Sequence, residues 1–326
     1  MSVGEFELIR HYFSALGNDS SGSVRLGVGD DCAVIAPPVE RELVISIDTL
    51  VEGVHFLPGT APEHVATRLL GAALSDLAAM GAEPGFFTLA LTLPESDPQW
   101  MAPFARALAE MAKQHGVALV GGDTTRGHLT LSVQVHGWTR PGKALLRSGA
   151  QAGDRIFVSG TLGDSRGGLE TLLQKSKPKH SCNYLRQRFY QPEPRLTTGQ
   201  LINEFATAAI DISDGLLADL GHILQQSNVG ATLNVAELPI SQSLHAWAGN
   251  KKSREWALNG GEDFELCFTV PALLEQKLAW VLRDHPVAVT CIGQITSDSG
   301  ILLAEDGKLT PADAKGYNHF RTATAN

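Results

Sequence analysis

The pattern of apolar and polar positions predicts mixed strands and helices in the first half of the chain. Runs that are continuously apolar, or that alternate with a period of two, are typical of strands. Apolar residues every three or four positions are typical of amphipathic helices, and the stretch 62–80 begins with Pro62, which favours a first helical turn. The predicted strands are 26–28, 32–35, 42–48, 86–93, 117–120 and 129–138, and the predicted helices are 5–16, 62–80 and 100–115.

The second half of the chain has its own set of predicted elements. A turn at Thr139–Gly142 and the small-residue segment 147–153 interrupt the pattern, as a linker would. Because 326 residues exceed what one hydrophobic core usually serves, we expect two domains, at 1–145 and 146–326, each of which mixes helices and strands. The predicted strands here are 155–159, 232–235, 265–270 and 287–292, and the predicted helices are 197–208, 214–226 and 271–283.

The balance of charge limits the kinds of ligand. The chain has 26 Lys and Arg against 35 Asp and Glu, which gives a formal charge of −9. Such a surface repels the phosphate backbone of nucleic acids, so we expect no nucleic-acid partner. A phosphorylated small molecule is expected to bind together with divalent cations, because carboxylates alone repel it.

Cysteine usage and hydropathy indicate the compartment. The four cysteines include no C-x-x-C pair, so the sequence supports neither a zinc site nor a disulfide framework. No segment has about 18 consecutive apolar residues, and residues 1–10 contain acids and no long apolar stretch, so we expect neither a membrane span nor a signal peptide. Reduced thiols in the cytoplasm fit this composition best.

Acidic residues recur where short apolar runs end. Glycine beside them lets the backbone turn tightly and lets a ligand approach closely. Short, hard carboxylate ligands suit Mg²⁺, which keeps several waters and bridges to phosphates. Asp and Gly also make ordinary turns, but these aspartates follow apolar strands rather than polar loops, which favours a site. The motifs are LGVGDD (Asp30, Asp31), LVISIDT (Asp48), ALVGGDTT (Asp123), AIDISDG (Asp211, Asp214) and, leading into a strand, GGED (Glu262, Asp263).

Four further positions have both a functional and an ordinary interpretation. Asp76 shares a helical stripe with apolar residues, where a carboxylate is costly unless it is paired or binds a cation. Ser213 or Asp214 can cap the helix that follows, whose N-terminus would also favour a phosphate. Arg147 either neutralises a phosphate or is a solvated linker residue, and His55 either contacts a substrate or caps a loop. Neither a P-loop nor a protein-kinase signature is present.

Taken in order, the motifs resemble those of the thiamine-monophosphate kinase family. They are GVGDDCAVI, SIDTLVEGVHF, ALSDLAAMGAEP, LVGGDTTRG, DISDGL and GGEDFEL, and the resemblance covers about residues 5–320. That family belongs to the superfamily of aminoimidazole-ribonucleotide synthetase, selenophosphate synthetase and a hydrogenase-maturation protein. The resemblance implies a two-domain fold with an N-terminal α/β domain that forms a homodimer, a C-terminal α+β domain, and a nucleotide in the cleft between them. It also implies direct transfer of the ATP γ-phosphoryl group to thiamine phosphate, with several Mg²⁺ ions.

The resemblance also implies roles for individual residues, with no catalytic group beyond the metal ligands. Tyr317 is a sensible contact for the cationic thiazolium, because a cation favours an aromatic face. The implied Mg²⁺ ligands are Asp30, Ser46, Asp48, Thr49, Asp76, Asp123, Asp211 and Asp214. The implied ATP contacts are Gly122, Asp123, Arg147 and Ser213, and the implied thiamine phosphate contacts are His55, Glu262 and Tyr317.

The sequence departs from the family at two aromatic positions. The family often has a Tyr that packs on the nucleotide in the helix before GVALVGGD, where this chain has Phe104 and Ala105. The C-terminal aromatic is more often Trp than the Tyr317 found here.

Two alternatives remain open, a sister enzyme of the superfamily and a non-catalytic Mg-nucleotide-binding protein. The selenophosphate and hydrogenase-maturation types are disfavoured, because no Cys precedes Cys32 and the chain ends TATAN.

Overall fold

In the computed structural model of the chain, the residues described are 11–13, 16, 22–174 and 182–312. Most of the predicted helix 5–16, and Tyr317, lie outside them. The strands are β1 (Val24–Leu26), β2 (Val34–Ile35), β3 (Glu42–Val51), β4 (Glu83–Leu93), β5 (Ala118–Arg126), β6 (Thr130–Thr139), β7 (Arg155–Ser159), β8 (Ala208–Asp211), β9 (Gly230–Asn234), β10 (Leu266–Val270), β11 (Val289–Thr296), β12 (Gly300–Glu305) and β13 (Lys308–Ala312). The helices are α1 (Pro62–Ala79), α2 (Pro98–His115), α3 (Asp164–Leu173), α4 (Cys182–Tyr190), α5 (Leu196–Ile202), α6 (Leu216–Ser227), α7 (Gln242–Asn259) and α8 (Glu275–Leu282).

The chain forms two compact units. The first comprises residues 1–144 together with 190–203, and the second comprises 145–189 together with 204–326. The segment 190–203 therefore belongs to the first unit although second-unit segments flank it on both sides. Nothing in the hydrophobic pattern of the sequence indicated this return.

The first unit is built on a sheet with the order β3-β6-β4-β5. β4 and β5 are parallel, and the other neighbours are antiparallel. Helix α1 packs against β3, β4 and β6 and against α2 and α5. Because α1 is surrounded in this way, it is apolar on nearly all sides rather than along one stripe.

Local signals fix both long helices of this unit. Helix α1 has Pro62 in its first turn, where the missing N–H costs nothing. Asp97 caps α2 by accepting a hydrogen bond from the N–H of Gln99 at 2.9 Å. Gly116 ends α2 in the left-handed region with φ of 66°.

A bulge in β5 shifts the register of the glycines that follow it. Phe87 pairs with Leu119 and Thr88 with Gly121, so Val120 is the extra residue. Beyond the bulge, a Cβ on Gly122 would lie 2.0 Å from the carbonyl oxygen of Leu89, whereas a Cβ on Gly121 would meet nothing within 4 Å. The glycine at 122 is therefore required by strand packing.

The second unit is built on a larger sheet with the order β13-β12-β9-β11-β7-β10-β8. β12 and β9 are parallel, and the other pairs are antiparallel. Its core lies between this sheet and α6, where Leu216, Leu220 and Ile223 meet strand residues such as Val158 and Ile210. The strands predicted at 155–159 and 265–270 agree with β7 and β10 to within one residue.

Several elements of this unit were not predicted from the pattern. Helix α3 contains Gly167 and Gly168, which are poor helix formers. Gly168 is there because a Cβ would lie 2.2 Å from the carbonyl oxygen of Leu185 on α4. The region predicted as a helix at 197–208 contains only α5, and the strand β8 begins at its last residue.

No helix of the described residues is long and apolar enough to cross a membrane.

Candidate active site

The first unit has a cavity of about 410 Å³ beside β5. Asp30 and Asp123 both line it, together with Gly121 and Gly122. Both carboxylate residues are exposed. Apolar residues complete the lining, among them Phe13, Leu89, Leu91 and Leu119. The cavity therefore combines an acidic rim with an apolar wall, which suits a ligand with a charged end and an apolar end.

Ser46, Asp48 and Asp76 form a second acidic group in this unit. Ser46 and Asp48 lie on the face of β3 that is turned inward, and the Ser46 hydroxyl donates a hydrogen bond to the Asp76 carboxylate on α1. Burial, and then the charge of Asp76, raise the pKa of Asp48 to about 6. A partly buried pair of like charges is stabilised by a cation, so this group fits the metal role that the sequence predicted for its members.

Arg68 lies on the same helix as Asp76, eight positions before it. Arg68 is buried, and its Nε donates a hydrogen bond to the backbone oxygen of His55 at 3.1 Å. Arg68 thereby anchors the loop that follows β3.

Thr49 and His55 have local partners. Thr49 points to the face of β3 opposite Ser46 and Asp48, and its hydroxyl lies 2.7 Å from that of Ser132. The structure therefore does not bring the Thr49 side chain to this acidic group. The backbone N–H of Val51 donates to Nδ1 of His55 at 3.0 Å, so the imidazole caps the turn after β3.

The second unit brings the DISDG and GGED motifs together. Asp211 ends β8 opposite Leu266, and the pairing continues past the strand. The N–H of Phe264 donates to the oxygen of Ile212 at 2.9 Å, and the N–H of Glu262 donates to the oxygen of Ser213 at 2.8 Å. Ser213, Asp214 and Glu262 therefore lie on neighbouring loops. Glu262 has a φ of 68°, in the left-handed region that few non-glycine residues adopt.

Two buried carboxylates accept hydrogen bonds from backbone N–H groups of loops in the second unit. Asp219 accepts hydrogen bonds from the N–H groups of Ser213, Asp214 and Gly215. Asp263 accepts hydrogen bonds from the N–H groups of Gly163 and Ser165 at the start of α3. Burial raises the pKa of Asp219 to about 7 and that of Asp263 to about 8, against the opposing effect of these bonds. The N–H groups of Ser213 and Asp214 are thus held by Asp219, whereas α6 itself begins only at Leu216.

A polar network holds the GGED loop from the inside. Arg188 forms a buried ion pair with Glu265 at 2.7 Å and donates to the backbone oxygen of Asp263 at 3.2 Å. The hydroxyl of Ser159 donates to the other oxygen of Glu265 at 2.6 Å. The sequence did not single out Arg188 or Glu265, because nothing in their spacing along the chain indicates that they meet.

The remaining predicted residues are dispersed. Arg147 is exposed in the second unit. Phe104 and Ala105, the positions considered for an adenine contact, are buried, and Phe104 stacks on Trp100 with ring centroids 4.9 Å apart. Phe104 is therefore a core residue. Tyr317 lies outside the described residues.

The donors present suit Mg²⁺ better than a metal that needs a complete protein cage. Across the residues that the structure describes, no three side chains of His, Cys, Asp or Glu converge to enclose a metal ion. Mg²⁺ keeps several waters and takes one or two carboxylates together with substrate phosphates. The pair Asp48 and Asp76, and the cavity residues Asp30 and Asp123, offer oxygen donors of this kind.

Comparison with known proteins identifies the family. Residues 29–139 match the family described as AIR synthase related protein, N-terminal domain, and residues 151–303 match AIR synthase related protein, C-terminal domain. Thiamine-monophosphate kinase of Escherichia coli K12 is 46% identical over 326 residues, which cover 99% of this chain and 100% of that protein.

Two solved structures agree with this assignment. The crystal structure of thiamine-monophosphate kinase from Stenotrophomonas maltophilia K279a is 43% identical with a TM-score of 0.84, over 89% of this chain and 93% of that chain. The structure of AaThiL complexed with AMPPCP and TMP is 35% identical with a TM-score of 0.78, over 90% of this chain and 92% of that chain. The resemblance drawn from the motifs and the two-domain fold it implied are confirmed: the chain belongs to the thiamine-monophosphate kinase family of AIR synthase related proteins.

Proposed function

We propose that the chain transfers the γ-phosphoryl group of ATP directly to thiamine phosphate, giving thiamine diphosphate and ADP, with Mg²⁺ ions bound by its aspartates. The observation that carries the proposal is the cavity that Asp30 and Asp123 share with the glycines of β5. In a member of this family, a carboxylate rim beside an apolar wall suits a nucleotide that arrives with its cations.

The bond changes require no general base from the protein. A phosphate oxygen of thiamine phosphate forms the new P–O bond, and the bond between the γ-phosphorus and the bridging oxygen of ADP breaks. The attacking oxygen is already ionised at neutral pH, because the second pKa of a phosphate monoester is about 6. Bound Mg²⁺ would supply charge neutralisation and alignment of the phosphates. The protein's own task is positioning, which agrees with the absence of a predicted catalytic group beyond the metal ligands.

The residues of the two units have separate tasks in this proposal. In the first unit, Asp30 and Asp123 at the cavity, and Ser46, Asp48 and Asp76 between β3 and α1, hold cations. Gly121 leaves open space beside the cavity, and Gly122 keeps β4 and β5 in contact.

In the second unit, Asp211 and Asp214 hold cations, Ser213 and Arg147 contact ATP, and Glu262 contacts thiamine phosphate. The support for this grouping is the pair of backbone hydrogen bonds that joins the DISDG and GGED loops. His55 and Tyr317 keep the roles implied by the resemblance as proposals, and a contact of Thr49 with a cation would have to use its backbone oxygen, because its side chain points to the opposite face of β3. For His55, a ligand contact would have to use the ring edge opposite the Nδ1 that caps the turn.

Product analysis tests the reaction. The purified chain is incubated with ATP, MgCl₂ and thiamine phosphate, and ADP and thiamine diphosphate are quantified by chromatography. We expect equimolar formation of both products, and no thiamine diphosphate when EDTA replaces Mg²⁺. ATP binding without turnover would support the non-catalytic alternative, and ATP consumption only with a different acceptor would support a sister enzyme. Either result would overturn the proposal.

We also propose that the protein is a cytoplasmic homodimer that pairs through β3. Leu43, Ile45 and Ile47 project from one face of this strand and are 47, 51 and 62% exposed. A row of large apolar side chains at a sheet edge is an exposed patch of the kind that a second copy covers. All four cysteines are free, which agrees with a reducing compartment.

Light scattering tests the dimer. The variant Ile45→Asp/Ile47→Asp places charges on this patch and is expected to elute as a folded monomer, whereas the wild type has twice the monomer mass. Leu273→Asp is the matched control, because Leu273 is 83% exposed in the second unit. A wild-type monomer, or a dimer that persists in the double variant, would contradict the proposed interface.

A further inference from the structure

Asp219 is a buried carboxylate whose bonds go to the loop in front of its own helix. It lies in the first turn of α6 and is 2% exposed. One oxygen, Oδ2, accepts hydrogen bonds from the N–H groups of Ser213, Asp214 and Gly215, each at 3.0 Å. Three consecutive peptide groups of the DISDG loop therefore converge on a single atom.

This arrangement differs from ordinary helix capping. A capping side chain precedes the helix and satisfies the first N–H groups inside it. Here the acceptor is inside the helix, and its donors precede Leu216, where α6 begins. What Asp219 holds is therefore the loop rather than the helix.

The loop is also fixed from its other side. The backbone oxygens of Ile212 and Ser213 accept hydrogen bonds from Phe264 and Glu262 at 2.9 and 2.8 Å. Gly215 has a φ of 112°, and a Cβ there would lie 2.8 Å from backbone atoms of Asn259. The peptide planes on both sides of Ser213 are therefore held at both the N–H and the carbonyl group, and the plane that follows Asp214 is held at the N–H of Gly215.

We propose that Asp219 is the positioning residue of the DISDG loop, directing the Asp214 carboxylate toward the cation it binds. The proposal rests on the metal role of Asp214 in the proposed function. Residues that orient a metal ligand typically change metal affinity or activity by 10- to 100-fold when they are substituted. Asp219 would act in this way through the backbone of Asp214 and would itself touch neither metal nor substrate.

The test uses Asp219→Asn, which keeps the size of the side chain. Its neutral amide oxygen is a weaker acceptor for three donors, and its NH₂ group cannot accept from a backbone N–H. The Mg²⁺ concentration that gives half-maximal rate is expected to rise by about 10- to 100-fold. Mn²⁺ binding, measured by electron paramagnetic resonance without substrates, is expected to weaken in the same direction.

Asp154→Asn is the matched control. Asp154 is 5% exposed in the same unit and also accepts from a loop N–H group, that of Gln151, at 3.0 Å. Its substitution removes a comparable buried carboxylate away from the DISDG loop. We expect a similar loss of thermal stability with wild-type Mg²⁺ dependence and wild-type Mn²⁺ binding.

A double-mutant cycle separates positioning from general stabilisation. If Asp219 acts through Asp214, then Asp214→Ala/Asp219→Asn binds Mn²⁺ no more weakly than Asp214→Ala alone. Additive effects, or an Asp219→Asn protein with wild-type metal dependence, would overturn the proposal.

If Asp219→Asn does not fold, hydrogen exchange in the wild type decides instead. The amides of residues 213–215 must be as protected as those of α6 without Mg²⁺, and fast exchange there would overturn the proposal.

The outcome is independent of the kinase assignment. A wild-type chain without thiamine phosphate kinase activity would refute the proposed function, whereas Mn²⁺ binding in the same variants would still decide on Asp219.

Discussion

Four aspartates of the first unit and two of the second are used in opposite ways. In the first unit, Asp30 and Asp123 are exposed at a cavity, and Asp48 and Asp76 lie close enough for one carboxylate to raise the pKa of the other. In the second unit, Asp219 and Asp263 are 2% exposed, and each accepts hydrogen bonds from backbone N–H groups. A carboxylate whose lone pairs serve the backbone builds the site, and one that faces a cavity or another carboxylate is available for a cation.

The comparison teaches that a motif alone does not identify a metal ligand. The DISDGLLAD stretch contains three aspartates within nine residues. Three backbone hydrogen bonds identify Asp219 as the residue that holds the loop, whereas the proposed function assigns Asp211 and Asp214 to cations.

The largest effect is expected when the aspartates at the cavity are substituted. Asp30→Ala and Asp123→Ala are each expected to lower kcat/KM by at least about 100-fold, the scale for removing one preorganised electrostatic contact in a phosphoryl or acyl transfer site. Because both side chains are exposed, the folded state should be retained by circular dichroism. Wild-type turnover in both variants would refute the assignment of the cavity.

Gly121 and Gly122 of β5 allow a second comparison, between a glycine that lines the cavity and one that strand packing requires. Gly122→Ala puts a Cβ 2.0 Å from the oxygen of Leu89, so it should separate β4 from β5 and cost about 3 kcal/mol in the free energy of unfolding. Gly121→Ala meets nothing within 4 Å and should fold normally, with a raised KM for ATP. Urea unfolding and steady-state kinetics measure both, and equal stability of the two variants would contradict the structure.

The buried carboxylates predict a pH dependence of stability. The pKa of Asp263 is raised from 3.8 to about 8 in the folded state, so its favourable contribution is complete below about pH 4 and is lost as pH rises through 8. Stability should therefore fall over this range. Asp263→Asn removes the titrating group and should narrow the difference between urea midpoints at pH 5 and pH 8. Equal differences in wild type and variant would contradict this interpretation.

The smallest expected effect concerns an aspartate that only caps a helix. Asp97→Ala removes the acceptor for the N–H of Gln99 and should cost about 1 kcal/mol in thermal denaturation, with unchanged kcat and KM. This variant is the control for the cavity substitutions, because it removes an acidic residue from the same unit. A loss of turnover here would show that net charge, rather than position, explains the effect of Asp30→Ala.

The sequence predicted most of the first unit and the regular strands of the second. Strand β3 and helices α1 and α2 follow a clear period, so their bounds agree with the prediction to within three residues. Helix α7 was missed because Gly249 interrupts it with a non-helical conformation and its apolar residues do not form one stripe. β13 is largely exposed at the edge of its sheet and β12 beside it has one buried residue, Ile301, so packing does not impose a strong pattern on them.

The sequence predicted the acidic residues of the candidate site but not the buried residues that hold its loops in place. Asp219 lies on the same helical stripe as Leu216, Leu220 and Ile223, which is the signal that drew attention to Asp76. Applying that argument to α6 would have found it. Arg188 and Glu265 are 77 positions apart in the chain, and only the fold brings them together, so no local pattern could have shown their ion pair.

The return of segment 190–203 to the first unit has a consequence for biosynthesis. Gly199 on α5 packs so closely on α1 that a Cβ there would lie 2.0 Å from the oxygen of Ala78. A nascent chain that has emerged only as far as residue 144 therefore lacks the piece that covers this side of α1. The first unit reaches its final packing only after residues 145–189 of the second have been translated, and a truncation at residue 144 should yield an aggregation-prone fragment.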